Sequence, residues 1–150
     1  MWQSIITIAG TLAGAVTAGL IQQSGARTER TAGRTEARRS ERIEAVTALL
    51  VALADHRRAM TLREEIRLTK GADSPEYAAA RVVSHETRAA ITVPHATLSI
   101  LVPALADSAQ AAVDAVYRIR GVEHAGYLEA ARFEAVETSD RLVAAAAQLA

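Results

Sequence analysis

The side chains best suited to metal chemistry in this chain are four histidines, His56, His85, His95 and His124. Metal sites on helices place their ligands three or four residues apart, as in HExxH or ExxH. His85 is followed by a glutamate, as in the first of these motifs, but the second histidine is missing, and no glutamate stands three residues before any histidine. We therefore predict no metal and no other cofactor, with each histidine making hydrogen bonds on or near a helix surface.

The sequence also offers no nucleophile in a recognisable setting. It has no cysteine, Ser99 lies in LSILVP without a GxSxG motif, and there is no Walker loop or GxGxxG. Nothing marks the carboxylates Asp55, Glu64, Glu65 and Asp140 as an acid/base pair, and a charged helix face is the simpler interpretation. We predict that the protein is not an enzyme, and we keep a soluble enzyme as the third functional hypothesis.

Residues 55–67 form the densest charged segment of the body of the chain. They suit either a docking face for a protein or nucleic-acid phosphate, or a solvated helix face with pairs four residues apart. Interleaved acids disfavour phosphate binding. The whole chain has 17 basic and 17 acidic residues, which argues against nucleic acid as a partner. We favour the solvated helix face.

The composition predicts an all-α fold, because aromatic residues make up only 3% and alanine is abundant. Apolar residues at steps of three and four predict one helix to Thr69, a break at 70–76, a second helix kinked at Pro94, and two further segments. Pro103 is a second interruption, Asp107 or Ser108 can cap the third segment, and the last helix runs over 123–149. The predicted stripe of the first helix is Ile43, Val46, Leu49 or Leu50, Leu53, Met60 or Ala59, Leu62 and Ile66. That of the second helix is Tyr77, Ala80, Val83, Thr87, Ile91, Pro94, Leu98, Leu101 and Leu105.

These segments predict an antiparallel helical bundle over 43–150, with three long helices. Because its stripes are rich in alanine, the bundle buries little apolar area per residue. We therefore expect contacts between copies to contribute to stability.

The charge distribution divides the N-terminal part of the chain. Residues 1–26 carry no charged side chain, whereas residues 27–42 carry six arginines and three glutamates. An uncharged run of this length followed by arginines predicts a single transmembrane helix, with Trp2 as its interfacial aromatic. The positive-inside rule places the N-terminus outside and residues 27–150 in the cytoplasm. The alternative is a buried helix in a soluble oligomer.

Residues 27–42 are predicted to form a solvated helical stalk rather than a disordered linker. They form a basic collar that suits membrane lipid, because anionic headgroups attract basic side chains near the surface. The collar arginines are Arg27, Arg30, Arg34, Arg38, Arg39 and Arg42.

The predicted transmembrane helix has two different faces. Large residues form a ridge, and a groove of small residues lies opposite. Such a groove lets helix backbones approach closely, and threonine hydroxyls can bond across it. We predict a homo-oligomer assembled through residues 1–26; a chance pattern in an Ala/Gly-rich chain is the alternative. The groove residues are Gly10, Gly14 and Ala18, flanked by Thr7, Thr11 and Thr17, and the ridge residues are Ile5, Ile8, Leu12, Val16 and Leu20.

Three segments, TIAGTLAGAVTAGLIQ, EAVTALLVALADHRRAMTLREE and SHETRAAITVPHATLSILVPAL, resemble small membrane-anchored proteins of filamentous actinobacteria that carry the family name KilB. This resemblance covers most of the chain. It implies a role in plasmid transfer or mycelial spread, and it supplies no catalytic residues.

The leading hypothesis is a non-enzymatic, membrane-anchored scaffold or component of a conjugative transfer or spread apparatus, with an unidentified protein partner. The second is a holin-like or toxin-like pore, whose polar lumen would be lined by Thr7, Thr11 and Thr17 of assembled helices.

Overall fold

The computed structural model describes residues 33–149 in full and residues 2–32 only as part of the first helix, without their side chains. The regular elements of the described chain are α1 (Trp2–Lys70), α2 (Pro75–Leu101), a 3-10 turn (Pro103–Leu105), α3 (Ala106–Tyr117) and α4 (Ala125–Ala147). This confirms the all-α prediction. The chain divides into two compact units, Met1–Ser40 and Glu41–Ala150.

In the first unit, the side chains of residues 33–40 are exposed, including Arg34, Arg38 and Arg39. Arg42, in the second unit, is exposed as well. Among the described residues, no helix is both long enough and apolar enough to cross a membrane. The predicted anchor therefore stays a prediction. The anchor residues Trp2, Thr7, Gly10, Thr11, Gly14, Thr17 and Ala18 lie outside the described side chains, as do Arg27 and Arg30 of the collar.

The second unit contains the predicted break between the first two helices. Gly71 has a φ of 89°, a left-handed conformation that glycine adopts without steric cost at a helix C-terminus. Ser74 caps α2 by accepting a hydrogen bond from the Tyr77 backbone amide at 3.2 Å, and Pro75 is the first helical residue. The predicted break is confirmed.

Two prolines affect the chain differently. Pro94 lies inside α2, which continues to Leu101, so the prediction of a continued helix rather than a loop is confirmed. Pro103 begins the 3-10 turn after Val102, which confirms the second interruption.

The predicted cap of the third helix was less accurate than the predicted break between α1 and α2. α3 begins at Ala106 without a side-chain cap, so the prediction that Asp107 or Ser108 caps it was wrong. It ends at Tyr117, four residues before Gly121, whose φ of 73° belongs to the following turn. The interruptions at 102 and 118–124 leave α3 12 residues long.

The core of the second unit is one cluster to which all four helices contribute. α1 and α2 run antiparallel, because His56 pairs with Thr87 while Arg63, further along α1, pairs with Ser84 and Tyr77, further back along α2. The largest fully buried apolar side chains are Leu49, Leu53, Ile91, Leu98, Val116, Ile119 and Leu142.

The predicted apolar stripe of α1 was partly wrong. Ile43 and Leu62 are 53% and 55% exposed, whereas His56, Arg63 and Glu64 are buried. The buried positions follow Leu49 and Leu53 at steps of three and four, so the inner face keeps its period while its side chains change from apolar to polar. The interpretation of 55–67 as a solvated helix face was therefore wrong for these three residues.

Candidate functional site

The polar inner face of α1 is the most unusual feature of the described structure. His56 is 2% exposed, Arg63 8% and Glu64 0%. Burying such groups is unfavourable unless each finds a partner. Their partners therefore show what each residue does.

The buried carboxylate of Glu64 has partners on two elements. Its Oε2 accepts a hydrogen bond from Arg67 Nε at 2.6 Å and another from the Gly121 backbone amide at 3.2 Å. The Arg67 guanidinium also donates to the Val122 carbonyl. We call Glu64, Arg67, Gly121 and Val122 the Glu64 cluster. It fastens α1 to the turn between α3 and α4 and pairs opposite charges.

Arg63, the neighbour of Glu64, has mostly neutral partners. Its guanidinium donates to the Tyr77 hydroxyl at 2.9 Å and to the Ser84 hydroxyl at 3.3 Å. Its Nε lies 3.9 Å from Glu64 Oε1, and neither of these two buried atoms has a hydrogen-bond partner among the described residues. Glu64 is therefore close enough to Arg63 to attract its charge but makes no hydrogen bond with it.

Arg63 lines a cavity of about 270 Å³ between α1, α2 and the C-terminal end of α3. We call it the arginine cavity. It contains four arginines and two histidines and has no aspartate or glutamate in its lining. The lining residues are His56, Met60, Arg63, Tyr77, Arg81, Ser84, His85, Arg88, Tyr117 and Arg120.

The cavity has a buried floor and an exposed mouth. His56, Met60, Arg63, Tyr77 and Ser84 are buried. The remaining arginines and His85 are exposed, and no ion pair of the described residues includes Arg81, Arg88 or Arg120.

Two tyrosines hold two of the arginines by their ring faces. The Arg88 guanidinium carbon lies 4.5 Å from the centroid of the Tyr117 ring, and that of Arg63 lies 5.3 Å from the centroid of Tyr77. Both distances suit cation–π attraction, which favours these guanidinium positions.

His56 lies on the cavity floor and is neutral at pH 7. Burial, followed by the positive charges of Arg88 and Arg63, lowers its pKa from 6.5 to about 4. Its Nδ1 lies 2.9 Å from the Thr87 hydroxyl, which itself lies 3.0 Å from the Val83 carbonyl, an acceptor. The Thr87 hydroxyl donates its proton to the Val83 carbonyl, so it accepts a hydrogen bond from His56 Nδ1–H. In this tautomer Nε2 is unprotonated and can accept a hydrogen bond.

This chain is similar to known plasmid transfer proteins. The family model described as KilB plasmid transfer protein matches residues 43–150. The chain belongs to the KilB family. It is 49% identical over 148 residues to Protein KilB of Streptomyces lividans, covering 99% of this chain and 97% of that protein. No solved structure matches it. Both the Glu64 cluster and the arginine cavity lie inside the region that the KilB family model covers.

In this KilB family member, the structure does not bring the other candidate residues of the sequence together. His124 stacks on Tyr127 with ring centroids 4.1 Å apart, and Ser99 donates to the His95 carbonyl within α2. Asp55 pairs with Arg58 at the surface. Among the residues searched, no group of three or more His, Cys, Asp or Glu side chains is placed to hold a metal ion.

Sequence reasoning missed the arginine cavity. The available signal was phase, because His56 and Arg63 continue the helical spacing of the buried Leu49, Leu53 and Met60. The contributions of Tyr117 and Arg120 depend on how α3 packs. No spacing within the sequence indicates that contact.

Proposed function

We propose that this chain is a non-enzymatic, single-pass membrane protein that oligomerises and serves as a scaffold component of plasmid transfer or mycelial spread. The observation that carries the proposal is the boundary at Arg27, where 26 uncharged residues meet an arginine-rich segment. Membership of the KilB plasmid transfer family supports the process. The charge boundary supports the location, with the N-terminus outside and residues 27–150 in the cytoplasm.

The collar supports contact with membrane lipid. Arg34, Arg38, Arg39 and Arg42 are exposed along α1, so anionic headgroups can reach them. This arrangement suits a stalk that holds the C-terminal unit close to the membrane.

The small-residue groove of residues 1–26 supports self-association. At about 100° per residue, Gly10, Gly14 and Ala18 share one helix face, whereas Gly19 lies about 180° from Gly10, on the side of the large residues. The same substitution can therefore be made at Gly10, in the groove, and at Gly19, on the opposite face, as a matched control.

The second unit also leaves apolar surface that supports contact with a second copy. Val82, Val93 and Ile100 lie on one face of α2 and are 58%, 72% and 76% exposed. Their spacing of 11 and 7 residues keeps them aligned along the helix. Contact of this face with a second copy would bury apolar area that the single unit leaves exposed.

Because the chain has no cysteine, single cysteines report topology without background. We expect a single cysteine added before Met1, on the outer side of the interfacial Trp2, to react with a membrane-impermeant maleimide in intact cells, and Ala37→Cys to react only after lysis. The opposite pattern would reverse the orientation, and release of the protein into the soluble fraction would contradict the anchor.

Self-association is tested by oxidative cross-linking in membranes. We expect Gly10→Cys to form a disulfide-linked dimer and Gly19→Cys, on the opposite face, to remain monomeric. Equal cross-linking at both positions, or none at either, would contradict assembly through the groove.

The pore hypothesis remains the alternative because Thr7, Thr11 and Thr17 flank the groove. A membrane-potential dye distinguishes the two after induced expression. Rapid depolarisation that Gly10→Ile and Gly14→Ile abolish, while Gly19→Ile does not, supports the pore. Unchanged potential with normal cross-linking supports the scaffold.

A further inference from the structure

We propose that the arginine cavity binds the phosphate group of a small ligand. This proposal rests only on the second unit and is independent of the anchor and of the role in transfer.

The first argument is the sign of the charges around the cavity. The whole chain has equal numbers of acidic and basic residues, yet the ten lining residues include four arginines and no carboxylate. The nearest buried carboxylate, Glu64, lies 3.9 Å from Arg63 but bonds Arg67 at 2.6 Å. Arg63 thus shares Glu64 with Arg67, and no ion pair of the described residues includes Arg81, Arg88 or Arg120. The cavity therefore concentrates positive charge that the surrounding carboxylates compensate only in part, and an anion would reduce the repulsion.

The second argument is preorganisation. The Arg63 side chain is only 10% exposed, and two neutral hydroxyls, those of Tyr77 and Ser84, hold its guanidinium. Arg88 rests on the ring of Tyr117. Arginines that are already ordered lose less freedom when they bind a ligand.

The third argument is the set of donors that remain. The Tyr77 hydroxyl accepts the bond from Arg63, and its own proton has no acceptor among the described residues. Arg81 and Arg120 stand at the mouth without an ion-pair partner in the described chain. Planar guanidinium groups bind phosphate oxygens two at a time, so this donor set favours phosphate over a singly charged anion.

The size of the cavity favours a small molecule. About 270 Å³ accommodates a phosphate with a modest organic group, at the lower end of ordinary ligand pockets. Two sources supply this chemistry, a soluble phosphate compound and a phospholipid headgroup, and the test separates them.

The soluble arm measures thermal unfolding of the full chain in non-ionic detergent by circular dichroism, with pyrophosphate or with sodium chloride at the same ionic strength. The proteins are the natural chain, the double variant Arg81→Gln/Arg88→Gln, and the control Arg132→Gln. Arg81 and Arg88 are exposed, so their replacement leaves the core intact, and Arg132 pairs with Glu129 outside the cavity.

We expect pyrophosphate to raise the unfolding midpoint of the natural chain and of the Arg132 variant. The double variant should bind about tenfold more weakly or worse, because it loses two charge-assisted contacts. Equal stabilisation of all three proteins would overturn the proposal, since it would show binding outside the cavity.

The lipid arm repeats the measurement in phosphatidylcholine nanodiscs that contain phosphatidic acid or, as an anionic control without phosphate, oleic acid. A headgroup is identified as the source if phosphatidic acid raises the unfolding midpoint, oleic acid does not, and the effect requires Arg81 and Arg88. The basic collar is identical in all three proteins, so its attraction to lipid cancels. Absence of arginine-dependent stabilisation in both arms would overturn the proposal.

Discussion

The Glu64 cluster and the arginine cavity begin at adjacent residues of α1 and use their charges in opposite ways. In the Glu64 cluster, a buried carboxylate pairs with Arg67 and with the Gly121 amide, so that its charge is compensated within the protein. In the arginine cavity, Arg63 and three further arginines face a common space without a lining carboxylate. The comparison indicates that the first group stabilises the fold and that the second is kept for a ligand.

The largest expected effect concerns Glu64. We expect Glu64→Ala to lower the free energy of unfolding by about 3–5 kcal/mol, because it leaves Arg67 and the Gly121 amide without their buried partner. Urea unfolding of the full chain in detergent measures this. The neighbouring Glu65 is exposed, so Glu65→Ala should change stability by less than about 0.5 kcal/mol. Similar losses for both variants would break the comparison.

The next effect is the pH dependence that His56 contributes. Its pKa is about 4 in the folded chain against 6.5 normally, so the unfolded chain binds more protons between these values. The free energy of unfolding is therefore unaffected by His56 above about pH 6.5. It falls by up to about 3 kcal/mol as the pH drops toward 4, because only the unfolded chain then binds the proton readily.

Urea unfolding at pH 7 and pH 4.5 measures the contribution of His56. His56→Gln should remove this part of the pH dependence, while His124→Gln, at an exposed position, should keep it. If the free energy of unfolding of His56→Gln still fell between pH 7 and pH 4.5 as in the natural chain, another group would be responsible for the pH dependence. The repelling charges are Arg63 on α1 and Arg88 on α2, with the Tyr117 ring of α3 packed edge-on against His56.

The same substitution at Arg67, in the Glu64 cluster, and at Arg81, in the arginine cavity, compares the two groups directly. Arg67→Gln should destabilise the chain by about 1.5–3 kcal/mol, because a charged hydrogen bond to Glu64 is lost. The same change at Arg81 should change the free energy of unfolding by no more than about 0.5 kcal/mol. Without ligand the change should be stabilising, because it removes one of the mutually repelling positive charges. Thermal unfolding under identical conditions compares the two. A larger loss at Arg81 would contradict the assignment of the cavity to binding.

The smallest effect tests the turn that holds Glu64. Gly121 has a φ of 73°, and a side chain there would meet open space, so only the backbone conformation opposes substitution. We expect Gly121→Ala to lower the free energy of unfolding by about 1–2 kcal/mol. Gly121→Asn should lose less, because asparagine tolerates the left-handed conformation. Equal losses would point to a requirement other than φ.

The sequence predicted those features that depend on local chemistry. The break at 70–76 followed from Gly71, Ser74 and Pro75, each of which has a specific role at a helix end. The continuation of α2 through Pro94 followed from an unbroken stripe. These signals involve residues that are close in sequence.

Features that depend on packing were not predicted. Polar residues on the inner face of α1 were assigned to solvent, because hydrophobic periodicity counts only apolar side chains. Partners such as Gly121 for Glu64 and Tyr117 for Arg88 lie 57 and 29 residues away in sequence. Only the tertiary arrangement shows that Arg63, Arg81, Arg88 and Arg120 share one cavity.

The most direct test of the proposed function is the frequency of plasmid transfer between mycelia. The gene for this chain replaces the KilB gene of a conjugative plasmid. We compare the natural chain with Gly14→Ile, in the groove, and Gly19→Ile, on the opposite face. Assembly through residues 1–26 predicts at least a tenfold loss of transfer for Gly14→Ile at unchanged protein level, and normal transfer for Gly19→Ile. Equal transfer by all three would contradict a role of that assembly in transfer.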